Sequence, residues 1–393
     1  MKITLKKGRE KTVLKYHPWI FSGAVDRVWG EPNDGDTVDL FSNDGKFLAR
    51  AAYSPNSQIR ARVWSFEDVE IDKNFFVDKV RRAIEKRKIM NLDKITNGYR
   101  IINSESDGLP GFIADKYGEA VVIQSLFVGS ELWKNILVEI LIEEISPKCV
   151  YERSDADVRE IEGLHAINGL LWGDLPNQYI FFEDNGLKYL VDPIHGHKTG
   201  YYLDQRVNRY KMRDLAEGRE VLDCFCYTGG FTINALLGGA KKVISIDSSV
   251  LALEQCRKHV SLNNLPYENH EILQGNVFEE LRRFRDMGRQ FDLIVLDPPK
   301  FAPTVSFINK ASRAYKDINL LALKLLRKNG ILLTFSCSGG VDLNLFQKIV
   351  SDAAFDAGVE LQIIDIMSQS PDHPISVYFP EGWYLKGLIC LKG

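Results

Sequence analysis

Five side chains in this chain stand where they could do chemistry: Asp223, Asp247, Asn276, Asp297 and Cys337. They close or follow the apolar runs VLDCF (221–225), VISID (243–247), HEILQ (270–274), FDLIVLD (291–297) and ILLTF (331–335). Ligands of open parallel sheets bind beyond the carboxyl ends of the strands, so parallel pairing would gather these five on one rim. Asp247 comes 24 residues after Asp223, at the end of a second strand, where a carboxylate can hold two ribose hydroxyls. The turn between them reads Cys226-Tyr227-Thr228-Gly229-Gly230, not the G-x-G-x-x-G that lets backbone approach a pyrophosphate. That argues against a dinucleotide oxidoreductase. An acidic rim suits a ligand with a cationic sulfonium and an amino group but no phosphate, and S-adenosylmethionine is such a ligand. The plainer reading of the carboxylates is as helix caps or turn residues.

Asp297-Pro298-Pro299-Lys300 is more specific. Two successive prolines fix φ and lack N–H donors, which makes a stiff strand end able to hold one planar base beside the Asp297 carboxylate. Pro299 and Lys300 then fall on the substrate side. The D-P-P run is similar to that of many nucleic-acid methyltransferases, where it contacts the exocyclic amine of a base. Ser336-Cys337-Ser338-Gly339-Gly340 narrows the chemistry. Neighbouring strands lie about 4.8 Å apart, so Cys337 would face the same pocket as Asp297. Carbon 5 of a pyrimidine attacks a methyl sulfonium only after a thiolate has added to carbon 6. Amine methylation needs no thiol. A free Cys is more often a small buried hydrophobe, but the serines and glycines around this one argue for exposure.

The elements that must position these residues are read from periodicity. From about 186 onward strand and helix patterns alternate, the signature of a parallel sheet wrapped by helices. The helix after FDLIVLD is expected to end at Gly330, and LQIIDI and YLKGLICL to close the sheet. The first 72 residues read as short strands cut by Asn33-Asp34-Gly35, Asn43-Asp44-Gly45 and Ser54-Pro55-Asn56, an all-β barrel. Residues 73–185 read as a compact α/β domain. Its first helix is capped by Asp72 or Asn74, and its second, at 130–145, has Leu132, Trp133, Ile136, Leu137, Ile140 and Leu141 on one side. The fold class is thus α/β with an N-terminal all-β domain and a Rossmann-like C-terminal domain. With 50 Lys and Arg against 53 Asp and Glu, the chain does not coat nucleic acid by bulk charge, so RNA affinity must sit in patches. Two runs qualify: Lys6, Lys7 and Arg9 within a Lys-rich start, and Arg81, Arg82 and Arg87 on the first helix. The ordinary reading is a solvated edge strand for the first and a solvated helix face for the second. Six scattered cysteines support neither a disulfide framework nor a zinc site, His195-x-His197 lacks a third ligand, and a metal is not expected. No apolar run nears a bilayer span, so a cytoplasmic protein is expected.

Taken together the motifs resemble the PUA-domain-containing 23S ribosomal RNA cytosine-5 methyltransferases. The likeness runs through HPWIFSGAV, ESDGLPGFIADKYG, HKTGYYLDQRVNR, DCFCYTGGF, DPPKFAPT, SCSGG and HPISVYFPEGWYLKGL. It implies an RNA-binding PUA barrel, a middle domain and a C-terminal S-adenosylmethionine domain. By this resemblance Lys198 to Arg206 packs over the cofactor, with Asp204, Gln205 and Arg206 close to it. Asp223 and Gly229, with Phe225 and Tyr227 of the same loop, line the methionine end. Asp247 takes the ribose, Asn276 the adenine, Asp297 and Pro298 also bind the cofactor, and Cys337 is the nucleophile. The third cofactor motif departs from the family in reading G-N-V-F where Asp often follows Gly. The expected partner is large-subunit ribosomal RNA, and a homodimer is compatible with this reading. Two alternatives stay open: methylation of a purine amine or ring nitrogen through Asp297, and a non-catalytic RNA-binding assembly factor.

Overall fold

The computed structural model describes residues 1–175, 179–302 and 307–393. Pro303 and Thr304, which end the DPPKFAPT stretch, lie outside the described residues, as do residues 176–178 of the middle domain. The chain forms two compact units. One comprises Met1–Gly186, Leu190–Leu203 and Pro371–Gly382; the other comprises Leu187–Tyr189, Asp204–Ser370 and Trp383–Gly393. Among the described residues no helix is long and apolar enough to cross a membrane.

The first unit begins with a six-stranded sheet in the order Trp19–Phe21, Ile59–Ser65, Phe47–Tyr53, Thr37–Phe41, Lys2–Leu5, Val25–Trp29. Alternate residues such as Ile3, Leu5, Val38, Leu40, Ala49 and Ala51 form its core, as the period-2 pattern of half-buried strands requires. Gly35 and Gly45 take left-handed φ of 84° and 85° in the two expected Asn-Asp-Gly turns. The edge-strand reading of the Lys-rich start is corrected. Lys2–Leu5 lies inside the sheet, parallel to Thr37–Phe41 and antiparallel to Val25–Trp29, and Lys6, Lys7 and Arg9 follow it on the surface.

A second sheet, ordered Ile167–Gly173, Cys149–Ser154, Ala120–Ser125, Phe112–Tyr117, Gly98–Asn103, packs with two helices. The helix Lys73–Ile89 starts at Asp72, whose carboxylate accepts from the Phe75 amide at 2.8 Å, and buries Phe76, Val80 and Ala83. Arg87 is corrected from the exposed basic face. It lies one turn below Ala83 on the buried side, 2% exposed, with Nη2 2.8 Å from Asp107. Arg81 and Arg82 do face solvent. In the helix Val128–Ile145, Leu137, Ile140 and Leu141 are buried as expected, but Leu132 is 57% exposed, because the buried stripe there runs through Val128 and Val138 instead.

Pro371–Gly382 completes this unit. The Arg100 amide donates to Asp372 Oδ2 at 2.9 Å, Arg87 Nη2 to the Asp372 carbonyl at 2.9 Å, and the Trp19 and Phe379 rings meet edge-on at 4.7 Å. Beneath them the Arg100 guanidinium forks onto Asp115 at 2.8 and 2.9 Å. Burial pushes the Asp115 carboxyl up, but the Arg100 charge and fork, with His373 and the Thr199 hydroxyl, outweigh it and hold the carboxyl below its ordinary 3.8.

The second unit carries the expected parallel sheet. Its order is His270–Gln274, Lys242–Asp247, Glu220–Cys224, Phe291–Leu296, Leu326–Ser336, Lys386–Lys392, Leu361–Ser368, with Lys386–Lys392 antiparallel to both its neighbours. The helix Val250–Leu262 is capped by the Ser249 hydroxyl. One boundary is corrected: the helix Ile308–Leu325 stops at Leu325, not Gly330. Leu326 already pairs with Phe291, and Asn329 (φ 61°) and Gly330 form a bulge inside the next strand.

Arg100→Met should leave the Asp115 carboxylate buried without its cation, a change that costs about 3–5 kcal/mol. Because the folded carboxyl titrates below the unfolded one, its contribution is full above about pH 4 and is lost as pH falls through the folded value. Denaturant titrations across pH 3–7 should therefore show a flatter acid limb in Asp115→Asn than in the wild type.

Candidate active site

The rim of the second unit is built by register. Asp223 pairs with Ser245 on one side and Val295 on the other, and Leu296 pairs with Thr334, so the segments after Cys224, Asp247, Leu296 and Ser336 emerge side by side. The loop after Cys224 turns sharply: Phe225, Tyr227 and Gly229 all have positive φ, at 60°, 50° and 79°. At Gly229 a Cβ would stand 2.2 Å from Cys256 Sγ, so this position requires glycine. The Asp247 carboxylate holds the loop. Its Oδ2 accepts from the Tyr227 amide and its Oδ1 from the Ser249 amide, both at 2.9 Å. Each oxygen keeps a lone pair for a further donor.

Asp223 is fully buried, with Oδ2 accepting from Thr232 Oγ1 at 2.7 Å and Oδ1 without a hydrogen-bond partner among the described residues. Burial pushes its carboxyl up to about 8, with Thr232 opposing and the charges of Cys256 and Asp297 adding to the rise. A carboxyl held in this way is poised to ionise against an incoming cation. Asn276 is exposed and caps the helix Val277–Asp286, its Oδ1 accepting from the Phe278 amide at 3.0 Å. Phe225, Phe278 and Phe301 form an aromatic wall with ring centroids 5.9–6.5 Å apart, and Tyr315 joins it 4.8 Å from Phe301.

Asp297 is half-buried and accepts from Gln205 Nε2 at 3.0 Å, while Asn208 Nδ2 fixes the other end of that amide at 2.6 Å. Asp204 and Arg206 are buried too, and Asp204 Oδ2 accepts from the Tyr384 hydroxyl at 2.6 Å. The boundary between units falls inside the Lys198–Arg206 stretch: Lys198 through Leu203 go with the first unit, Asp204 onward with the second. Pro298 is buried, and Pro299 and Lys300 are exposed. Cys337 is half-buried with Sγ 3.9 Å from the Pro298 carbonyl, whereas the other five cysteines are all buried. Ser338, next to it, receives the Ala302 amide at 3.2 Å and meets the Tyr315 hydroxyl at 3.1 Å.

Several of these groups escape the sequence reading. Phe278, Phe301 and Tyr315 pass for ordinary core residues. Lys386 is 2% exposed, and its Nζ donates to the Ser338 and Tyr384 carbonyls at 2.8 and 2.9 Å. The available signal was a single Lys inside the apolar run YLKGLICL.

The residues present fit S-adenosylmethionine. An orphaned buried carboxyl oxygen on Asp223, an anchored carboxylate with spare lone pairs on Asp247, and a strand-end rim of three acids match its cationic and ribose groups. Comparison with known proteins agrees. The pattern of the PUA-like domain matches residues 3–66, and that of the S-adenosylmethionine-dependent methyltransferases matches residues 170–375. Similar full-length proteins include "Ribosomal RNA large subunit methyltransferase I" of Aeromonas hydrophila, 49% identical over 390 residues and covering 98% of each chain. The protein of that name in Vibrio vulnificus is 49% identical over 392 residues, covering 99% of this chain and 98% of that one. Among solved structures, a SAM-dependent methyltransferase from Streptococcus mutans superposes with a TM-score of 0.87 at 23% identity, over 100% of both chains. SMU.776, a methyltransferase complexed with SAH, gives 0.88 at 23% identity, again over 100% of both. At that identity the solved structures speak for the fold.

Asp247→Ala should raise the S-adenosylmethionine dissociation constant at least tenfold, since each charge-assisted hydrogen bond contributes about 1.5–3 kcal/mol. Titration calorimetry reads this directly, and an unchanged constant would move the cofactor away from this rim.

Proposed function

Because the chain belongs to the S-adenosylmethionine-dependent methyltransferases, and among them to the ribosomal RNA large subunit methyltransferase I family, we propose that it forms 5-methylcytidine in large-subunit ribosomal RNA. The observation that carries this reading is Cys337: of the six cysteines it alone is not buried, and it stands beside the Pro298 carbonyl of the DPPK strand end. A site for amine methylation has no use for a half-exposed thiol there. S-adenosylmethionine, when bound, supplies an electrophilic methyl group on a sulfonium sulfur.

The chain's own groups do the rest. The Cys337 thiolate adds to carbon 6 of cytosine: a sulfur lone pair forms the Sγ–C6 bond and the π electrons make carbon 5 nucleophilic. Asp297, held at 3.0 Å by Gln205, takes the N3/N4 edge of the ring and fixes its plane. Once carbon 5 carries the methyl group, its proton leaves to a solvent base, and the C5–H electrons restore the C5–C6 double bond as the Sγ–C6 pair returns to sulfur. In this reading residues 1–72 bind RNA, 186–393 bind cofactor and base, and 73–185 form the domain between them in sequence.

Cys337→Ala should abolish methyl transfer while S-adenosylmethionine still binds. Substrate RNA with 5-fluorocytidine at the target should trap the wild-type protein, because fluorine cannot leave as a proton and elimination stalls with the thioether intact. The adduct should survive denaturing electrophoresis, require cofactor, and vanish in Cys337→Ala but persist in Cys224→Ala. Wild-type turnover by Cys337→Ala would instead favour purine methylation through Asp297.

RNA affinity in this reading rests first on Lys6, Lys7 and Arg9, which are exposed and form no ion pair among the described residues. Arg81 is already paired with Glu144 at 2.8 Å. Reversing the first three charges should weaken RNA binding and flatten the salt slope by about 0.9 for each phosphate that is no longer neutralised. An unchanged slope would make the run a solvated surface only.

A further inference from the structure

We propose that Lys386 is a positioning residue whose ammonium group holds Cys337 in its thiolate form. The proposal rests on Cys337 being the nucleophile and adds how that nucleophile is prepared. In the antiparallel ladder Lys386 pairs with Ser336, the residue before Cys337. Its Nζ reaches past the thiol's position in sequence to the carbonyl of Ser338, the residue after it, at 2.8 Å, and to the Tyr384 carbonyl at 2.9 Å. The Lys386 backbone thus pairs with the residue before Cys337 while its ammonium bonds the carbonyl of the residue after it.

A lysine 2% exposed is rare unless it is paired, because burying an unpaired ammonium is costly. Among the described residues no carboxylate forms an ion pair with it, and two carbonyls satisfy only two of its three N–H donors. The groups around it are few. Burial lowers its pKa to about 8; the charges of Cys337 and Asp342 act to raise it, and Lys300 acts to lower it. Tyr315, on the helix that packs beneath Ser338, is pushed up to about 12 by burial and then by the Cys337 charge, so it stays a neutral phenol and supplies no anion. Cys337 and Asp342 are the groups whose negative charge acts on it, and Cys337 acts more strongly.

An ammonium–thiolate pair has a definite role in the addition and elimination steps. The thiol proton goes to solvent before RNA binds. Attack on carbon 6 consumes the negative charge in the new Sγ–C6 bond, and expulsion returns the electron pair to sulfur. The ammonium keeps its three protons throughout and lowers the cost of the charged sulfur at both ends.

The test is the pH dependence of Cys337 alkylation by iodoacetamide in the full-length protein, without RNA or cofactor, read on the Cys337 peptide by mass spectrometry. The wild-type midpoint should lie below the ordinary thiol value of about 8.5, and Lys386→Met should raise it by about one unit or more. Lys386→Arg, which keeps the charge, should recover part of that shift. Retained S-adenosylmethionine binding by Lys386→Met shows that the variant is folded. A wild-type midpoint at or above about 8.5 overturns the proposal, as does an unchanged midpoint in folded Lys386→Met. If that variant does not fold, the wild-type midpoint alone decides. A low midpoint with active Cys337→Ala sinks the nucleophile but leaves the ion pair; an ordinary midpoint with inactive Cys337→Ala does the reverse.

Discussion

The candidate site depends on one carboxylate. Asp247 takes the Tyr227 amide on one oxygen and the Ser249 amide on the other, and so ties the turn after the central strand to the start of the next helix. With the Cys226 amide on the Ile246 carbonyl at 3.0 Å, these bonds hold Phe225 and Tyr227 in left-handed backbone, where each non-glycine residue costs about 1–3 kcal/mol. The strained turn brings the Phe225 ring against Phe278 and Phe301, and fixes Gly229 against Cys256. A residue proposed to hold a ligand is therefore first a structural anchor. Its remaining lone pairs are prepaid in orientation.

Much of this was legible in the sequence because it follows from local rules. Apolar runs of five to seven residues such as VISID and FDLIVLD gave the parallel strands, and Asp72 marks a helix start that the backbone uses. The rim residues were legible for the same reason, since parallel pairing leaves strand ends together whatever the register. What escaped was set by tertiary pairing. Leu326 leaves its helix because Phe291 offers it a partner, so Gly330 becomes a bulge instead of a cap. Arg87 looks like its basic neighbours in sequence, but Asp107 and the Asp372 carbonyl draw it inward. Lys2–Leu5 reads as an edge strand until its parallel partner Thr37–Phe41 is known. Lys386 is the sharpest case: its sequence context is an apolar strand, and only the ladder puts it next to Ser336.

The two kinds of similarity fit this division. At 23% identity the solved structures share the fold, which the apolar patterns and pairing rules can maintain through many substitutions. The 49% identical proteins share nearly the whole length, barrel and sheet alike. A narrow set of rim residues can then decide chemistry on a scaffold that tolerates change.

The order in which segments are laid down along the chain carries a consequence for biosynthesis. The first unit draws its last segment, Pro371–Gly382, from beyond most of the second. At about 5–20 residues per second the nascent first unit waits roughly 15–70 s between its early strands and that segment. During the wait Trp19 lacks Phe379, and the Arg100 amide lacks Asp372. Neither unit can close vectorially behind the ribosome. The protein must hold two incomplete cores at once and finish both from its final stretch, which makes that period of synthesis the one most exposed to aggregation and most dependent on chaperones.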